Sequence, residues 1–156
     1  RNARLTLRGR NMTDELYIAK RNIGVTKNGL PVHCSNTSDF KSSYGIGPIK
    51  IGTKKVMALH RAIEETEPEG VWMQSVGSLA ISGAFVADGR RDWFFSKGSK
   101  SWDYMTPALI MKESGCILLN AEGENWKTTD LSVVAFNPNL EKPMRQLLEA
   151  RKKYLA

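Results

Sequence analysis

From residue 53 onward, segments with apolar residues at helical spacing alternate with short runs rich in β-branched and aromatic residues. A helix hides one stripe and a strand one or two faces, so such alternation is satisfied by helices packed on sheets. The first helix is expected from Thr53, a natural cap, through Val56, Leu59, His60 and Ile63, with His60 on or beside its packed face and Pro68 to Gly70 as its stop. A strand at Val71–Ser75 and a helix over Gly77–Ala87 follow. The latter is small along Ala80, Gly83, Ala84 and Ala87, a surface suited to close packing against a sheet. Strands are expected at Trp93–Phe95, Cys116–Asn120 and Ser132–Phe136, with a turn at Glu122-Gly123. Asn139 is placed as cap of a last amphipathic helix carrying Leu140, Met144, Leu147, Leu148 and Leu155.

The first third reads differently. Leu5 and Leu7 alternate, as do Leu16 and Ile18, and Asn28-Gly29 between Val25 and Val32 is a strong two-residue hairpin turn. Pro31 lacks the amide donor a central strand needs, so the second arm belongs at an edge. A polar loop over Asn36–Gly45 and a short strand within Tyr44–Ile51 complete this region. The division that results is 1–52, a β-hairpin region continuing a sheet begun upstream, and 53–156, the α/β part of the same fold.

At 156 residues and 41% hydrophobic content the chain can fill one sizeable core. Its net charge of +7 favours acidic partners, among them phosphorylated metabolites, nucleic acid and anionic surfaces. No apolar run is long enough to span a bilayer and no signal-peptide pattern stands at Arg1, so a soluble cytoplasmic protein is expected. Cys34 and Cys116 are too few for a disulfide framework and are expected as reduced thiols; His33 and His60 lack partners at zinc-ligand spacing.

Candidate chemistry concentrates in Ser101–Gly115. Thr106-Pro107 reads as a helix start, which places Asp103 at or just before a helix N-terminus, where partial positive charge keeps a carboxylate ionised. Trp102 is expected to pack and fix the loop. The other clustered acids, Asp14-Glu15, Glu64-Glu65, Asp88 and Asp92, are expected on solvated faces.

Gly77-Ser78-Leu79-Ala80, Val86-Ala87-Asp88-Gly89-Arg90-Arg91-Asp92, Trp102-Asp103 and Glu113-Ser114-Gly115-Cys116 follow one another in an order and spacing that resembles the C-terminal part of the inositol monophosphatase-like family of Mg²⁺-dependent phosphatases. The resemblance covers most of residues 13–150. It implies a layered α-β sandwich, the C-terminal part of an αβαβα fold, and Mg²⁺-dependent hydrolysis of a small phosphate monoester such as an inositol monophosphate, a sugar phosphate or a bisphosphate nucleotide. Asp103 then matches a metal ligand, and Gly77, Ser78 and Leu79 match a segment that meets the substrate. Ser96 stands seven residues before Asp103, where inositol-type members have a glutamate; with Lys97 and Lys100 nearby it suits a substrate with a second anionic group.

The family's Asp-Pro-x-Asp-Gly metal motif has no match here, so this chain alone is expected to be inactive and to need the N-terminal part of the same fold as its partner, with a homodimer as a further possible assembly. Two other readings stand beside this one. The first is a basic nucleic-acid-binding surface built from Arg1, Arg4, Arg8, Arg10, Lys20, Arg21, Arg151, Lys152 and Lys153, disfavoured because aromatics are not interleaved with these charges. The second is a non-catalytic relative that binds a partner protein.

Overall fold

The computed structural model describes residues 2–9, 12–48 and 52–156. Four strands, β1 (Asn2–Gly9), β2 (Met12–Lys20), β3 (Gly24–Lys27) and β4 (Leu30–Pro31), form an antiparallel sheet in chain order, with the Pro31 arm at its edge as expected. Asn28 and Gly29 both take positive φ, 51° and 83°, the pairing a two-residue hairpin turn requires. The Asn28 side chain accepts from the Leu16 amide at 2.8 Å, which anchors the turn to β2.

The second sheet contains β5 (Tyr44–Ile46), β6 (Trp72–Gln74), β7 (Trp93–Lys97), β8 (Ile117–Leu119) and β9 (Ser132–Phe136), in the order β6-β5-β7-β9-β8. β5 runs parallel to β6 and β7, whereas β9 runs antiparallel to β7 and β8. Helices α1 (Lys54–Thr66), α2 (Leu79–Ala87), α3 (Ser101–Glu113) and α4 (Glu141–Lys153) fill the layers around these sheets.

Pleating explains the layers. Along β9 all five residues are buried, but Val133 and Ala135 join one core while Val134 and Phe136 join the other. The first core lies between the four-stranded sheet (Ala3, Tyr17, Ala19, Val25), the α2–α3 pair (Ala84, Tyr104, Ile110, Met111) and one face of the second sheet. The second core packs Trp93, Phe95 and Leu119 against Leu59 and Ile63 of α1 and Met144, Leu147 and Leu148 of α4. The order is therefore sheet, α2 and α3, sheet, α1 and α4. The outer face of the first sheet, with Arg4, Ile18 and Lys20, is exposed.

Gly45 marks the tightest contact in the second core: a Cβ there would lie 2.0 Å from the Trp93 indole, whose Nε1 donates to Ser43 Oγ at 3.0 Å.

Several expectations are corrected. Gly83 packs on a helix rather than a sheet, since its Cβ would lie 2.5 Å from Pro107 Cβ in α3. His60 is exposed on α1. Asn139 is not the cap of the last helix: Asn137 caps a 3₁₀ turn at Pro138–Leu140, α4 starts at Glu141, and Asn139 instead donates to the Asn36 carbonyl. Leu155 falls beyond the end of α4. Arg1, Arg10 and the 49–51 end of the Tyr44–Ile51 strand lie outside the described residues, as do the side chains of Leu7 and Arg8.

Candidate functional site

Helix α3 begins at Ser101, five residues before the expected Thr106 start, so Pro107 sits inside it. A proline there has no amide to give the carbonyl four residues back, which is that of Asp103. Proline also fits because Gly83 of α2 leaves room for its ring. Asp103 thus occupies the first turn, the expected place reached by a different start. Its carboxylate is exposed and accepts from the Lys100 amide at 3.3 Å, satisfying one of the helix's orphan donors. Among the described residues it has no ion-pair partner.

Trp102 does not pack. It is 65% exposed, with the Lys100 ammonium 5.1 Å from its ring centre. The residue that fixes this turn is Tyr104, fully buried, whose hydroxyl accepts from the Ser99 amide at 3.2 Å and shares a hydrogen bond with Ser96 Oγ at 3.2 Å. Ser96, on β7, is thereby joined to the first turn of α3. Of the two lysines near Ser96, Lys97 pairs its ammonium with Glu122.

Gly77, Ser78 and Leu79 stand at the start of α2. Gly77 takes φ +79°, Ser78 is the cap and accepts from the Ile81 amide at 3.3 Å, and Leu79 begins the helix against the first core. The α2–α3 contact at Gly83 and Pro107 holds the two helices together. Neither start opens onto the chain's large cavity of about 800 Å³, which lies along another flank of α3 between Met105, Leu109, Lys112, Asn2 and Trp126.

Mg²⁺ takes about six oxygen ligands in near-octahedral array. Among the described residues, no three His, Cys, Asp or Glu side chains gather to hold a metal ion. Asp103 is right in kind, a hard oxygen donor, but one carboxylate does not make a site. This chain's residues by themselves do not fit the ion.

The acids expected to be solvated divide. Asp14, Glu64 and Glu65 are exposed, but Glu15 is only 6% exposed, the Asp88 side chain 5% and Asp92 8%. Asp92 accepts from the Tyr44 amide at 2.6 Å and so pins β5. Glu15 and Asp88 form a four-charge cluster with Lys27 and Arg90. Lys27 Nζ lies 2.6 Å from Glu15 and 3.2 Å from Asp88; Arg90 Nη2 lies 2.7 Å from each. The Tyr17 hydroxyl sits at its centre, donating to Asp88 at 2.7 Å and accepting from Arg90 at 2.7 Å. Burial pushes the Tyr17 phenol up, and its bond to Asp88 adds to that. For Glu15 burial acts upward, but the hydrogen bonds from Lys27 and Arg90 outweigh it and hold the carboxyl below its usual range. The signal in the sequence was register: Glu15 and Tyr17 share the face of β2 that also carries buried Ala19, and Lys27 pairs directly with Tyr17.

Among the described residues no helix is long and apolar enough to cross a membrane. The chain is 30% identical over 135 residues to the Nus factor SuhB of Salmonella typhimurium, covering 85% of this chain and 50% of that protein. It is 30% identical over 142 residues to inositol monophosphatase 1 of Solanum lycopersicum, covering 87% and 51%. The fold matches an IMPase from Thermotoga maritima with a TM-score of 0.77 at 17% identity, over 91% of this chain and 54% of that one. The chain thus spans about half the length of the curated relatives it matches. The model of the inositol monophosphatase family matches residues 9–156, and with the layered fold and the Trp102-Asp103 turn in place, the chain belongs to that family.

Proposed function

We propose that the whole protein, of which this chain supplies the C-terminal part, hydrolyses a small phosphate monoester in a Mg²⁺-dependent reaction. The observation that carries this reading is Asp103: in the first turn of α3 it keeps an exposed carboxylate that no cation neutralises among the described residues. An acid without a structural task, at a position matching a family metal ligand, is available for a divalent ion once further carboxylates stand opposite it. Those are assigned to the N-terminal half of the fold, which also continues the four-stranded sheet β1–β4.

In the same reading the Gly77-Ser78-Leu79 start of α2 faces the substrate, and Ser96, tied to Tyr104, replaces a hydroxyl-binding glutamate. Lys100 is left as the cation for a second anionic group, since Lys97 is paired with Glu122. The protein is assigned to the cytoplasm.

The test is Mg²⁺-dependent phosphate release from inositol monophosphate, sugar phosphates and bisphosphate nucleotides, on this chain alone and on the chain joined to its upstream half. Turnover is expected only in the joined form, and Asp103→Asn should lower it sharply. A joined form that releases no phosphate from any of these substrates overturns the proposal.

A second reading, a protein-binding relative without catalysis, is favoured by the likeness to a relative named as a Nus factor. A nucleic-acid surface has less support: Arg151 is fully buried, and Lys152 and Lys153 pair with Glu149 and Glu65. Steeply salt-dependent oligonucleotide binding would restore it.

A further inference from the structure

Cys34 follows the first sheet on an irregular stretch, and Cys116 precedes β8, far apart in the chain. The fold brings them together. The Cys34 amide donates to the Ser114 carbonyl at 3.0 Å, and a side chain at Gly115 would come within 3.7 Å of Cys34 Sγ. Ser114 Oγ lies 3.6 Å from Cys116 Sγ, so both sulfurs border the Ser114-Gly115 turn that closes α3. Both are free.

The stretch that carries Cys34 is held independently of the thiols. Asn137 Nδ2 donates to Ser35 Oγ at 3.0 Å and to the Thr37 carbonyl at 3.1 Å, and Asn139 donates to the Asn36 carbonyl at 2.9 Å. Backbone that is already pinned therefore holds Cys34 beside the Ser114-Gly115 turn that leads into Cys116.

We propose that Cys34 and Cys116 are a peroxide-reactive dithiol, with half-buried Cys34 as the attacking sulfur and buried Cys116 as the resolving one. The division of labour follows the environment. The hydrogen bond from Cys116 holds the Cys34 thiol below its usual range, while that same bond and burial push Cys116 up. Cys34 thiolate attacks one oxygen of hydrogen peroxide or an alkyl hydroperoxide; the O–O bond breaks, leaving a sulfenic acid and a hydroxide or alkoxide. Cys116 sulfur then attacks Cys34 Sγ, the S–O bond breaks, and the departing hydroxide leaves as water with the Cys116 proton. The two thiols together lose two electrons and two protons, and the peroxide is reduced to water or to water and an alcohol. The product ties the stretch after β4 to the end of α3.

The experiment treats the full chain with hydrogen peroxide and reads intact mass and thiol labelling under denaturing, non-reducing conditions. The expected result is a loss of about 2 Da, disappearance of both thiols, a Cys34–Cys116 cross-linked peptide and full reversal by dithiothreitol. In Cys34→Ser, whose substitution falls at a half-exposed site, Cys116 should lose its thiol about tenfold more slowly than in the unsubstituted chain. In Cys116→Ser, Cys34 should proceed to the sulfinic acid. A chain in which Cys34 over-oxidises while Cys116 stays a free thiol, in which cross-links form only between chains, or in which Cys116 reacts equally fast without Cys34, overturns the proposal.

Discussion

Two groups of acids in this chain meet opposite fates. Glu15 and Asp88 are withdrawn from water and matched by two cations and a phenol, so that every charge in their cluster has a partner. Asp103, on the next helix, keeps its carboxylate in solvent with a single backbone amide as its bond. A buried acid must be answered inside the chain or it does not ionise. An exposed acid at a helix N-terminus can stay charged with nothing to answer it. The first arrangement ties β2 and β3 to the end of α2; the second leaves valence for a ligand.

Exchanging the demands should separate the two. The largest effect is expected from Asp103→Asn in the joined protein, where turnover should fall by about 10²–10³-fold, the range seen when one preorganised charge-stabilising group is removed. Its unfolding free energy should stay within about 0.5 kcal/mol of the parent. A stability loss as large as the activity loss would place Asp103 with the structural acids instead.

Asp88→Ala should do the reverse. It strands Lys27 and Arg90 beside Glu15, and breaking a buried pair costs about 3–5 kcal/mol; because both cations keep some contact with water, about 2–3 kcal/mol is expected in urea unfolding. A cost below about 0.5 kcal/mol would show that the cluster rearranges freely.

Gly83→Ala probes what connects the two regions, since α2 carries the cluster at one end and the Ser78 start at the other. The new methyl must displace Pro107, whose Cβ stands 2.5 Å from its position, against a helix-propensity gain of about 1 kcal/mol. A net loss of about 1–2 kcal/mol is expected by thermal or urea denaturation. An unchanged or raised stability would mean that α3 shifts easily and does not hold Asp103 in place.

The sequence made the layers legible because alternation and helical spacing are local: β9, the Thr53 cap and the Asn28-Gly29 turn stand where their residues indicate. It misled at Thr106-Pro107, where the cap-and-proline signal is locally sound but the Gly83 contact lets proline sit inside a helix. The acid cluster was missed for a related reason. Its members come from β2, β3 and the end of α2, and only the packing of the first sheet on the helices makes neighbours of them. Asp103 was legible through resemblance rather than periodicity, and Tyr104, the residue that holds its turn, became visible only once Ser96 and Ser99 were beside it.

The smallest expected effect is also the one that reads the cluster's charge directly. Because its hydrogen bonds hold the folded Glu15 carboxyl below 4.5, the unperturbed value, the folded chain binds a proton there less readily than the unfolded one. Glu15 therefore contributes its full stabilisation above about pH 4.5 and loses it as pH falls through the lower folded value. Urea midpoints compared for the parent and Glu15→Gln should differ by a constant amount from neutral pH down to about 4.5 and converge below it. If the Glu15→Gln difference instead widened on acidification, the carboxyl would be held protonated by burial, and the pairing with Lys27 and Arg90 would not be what keeps it inside.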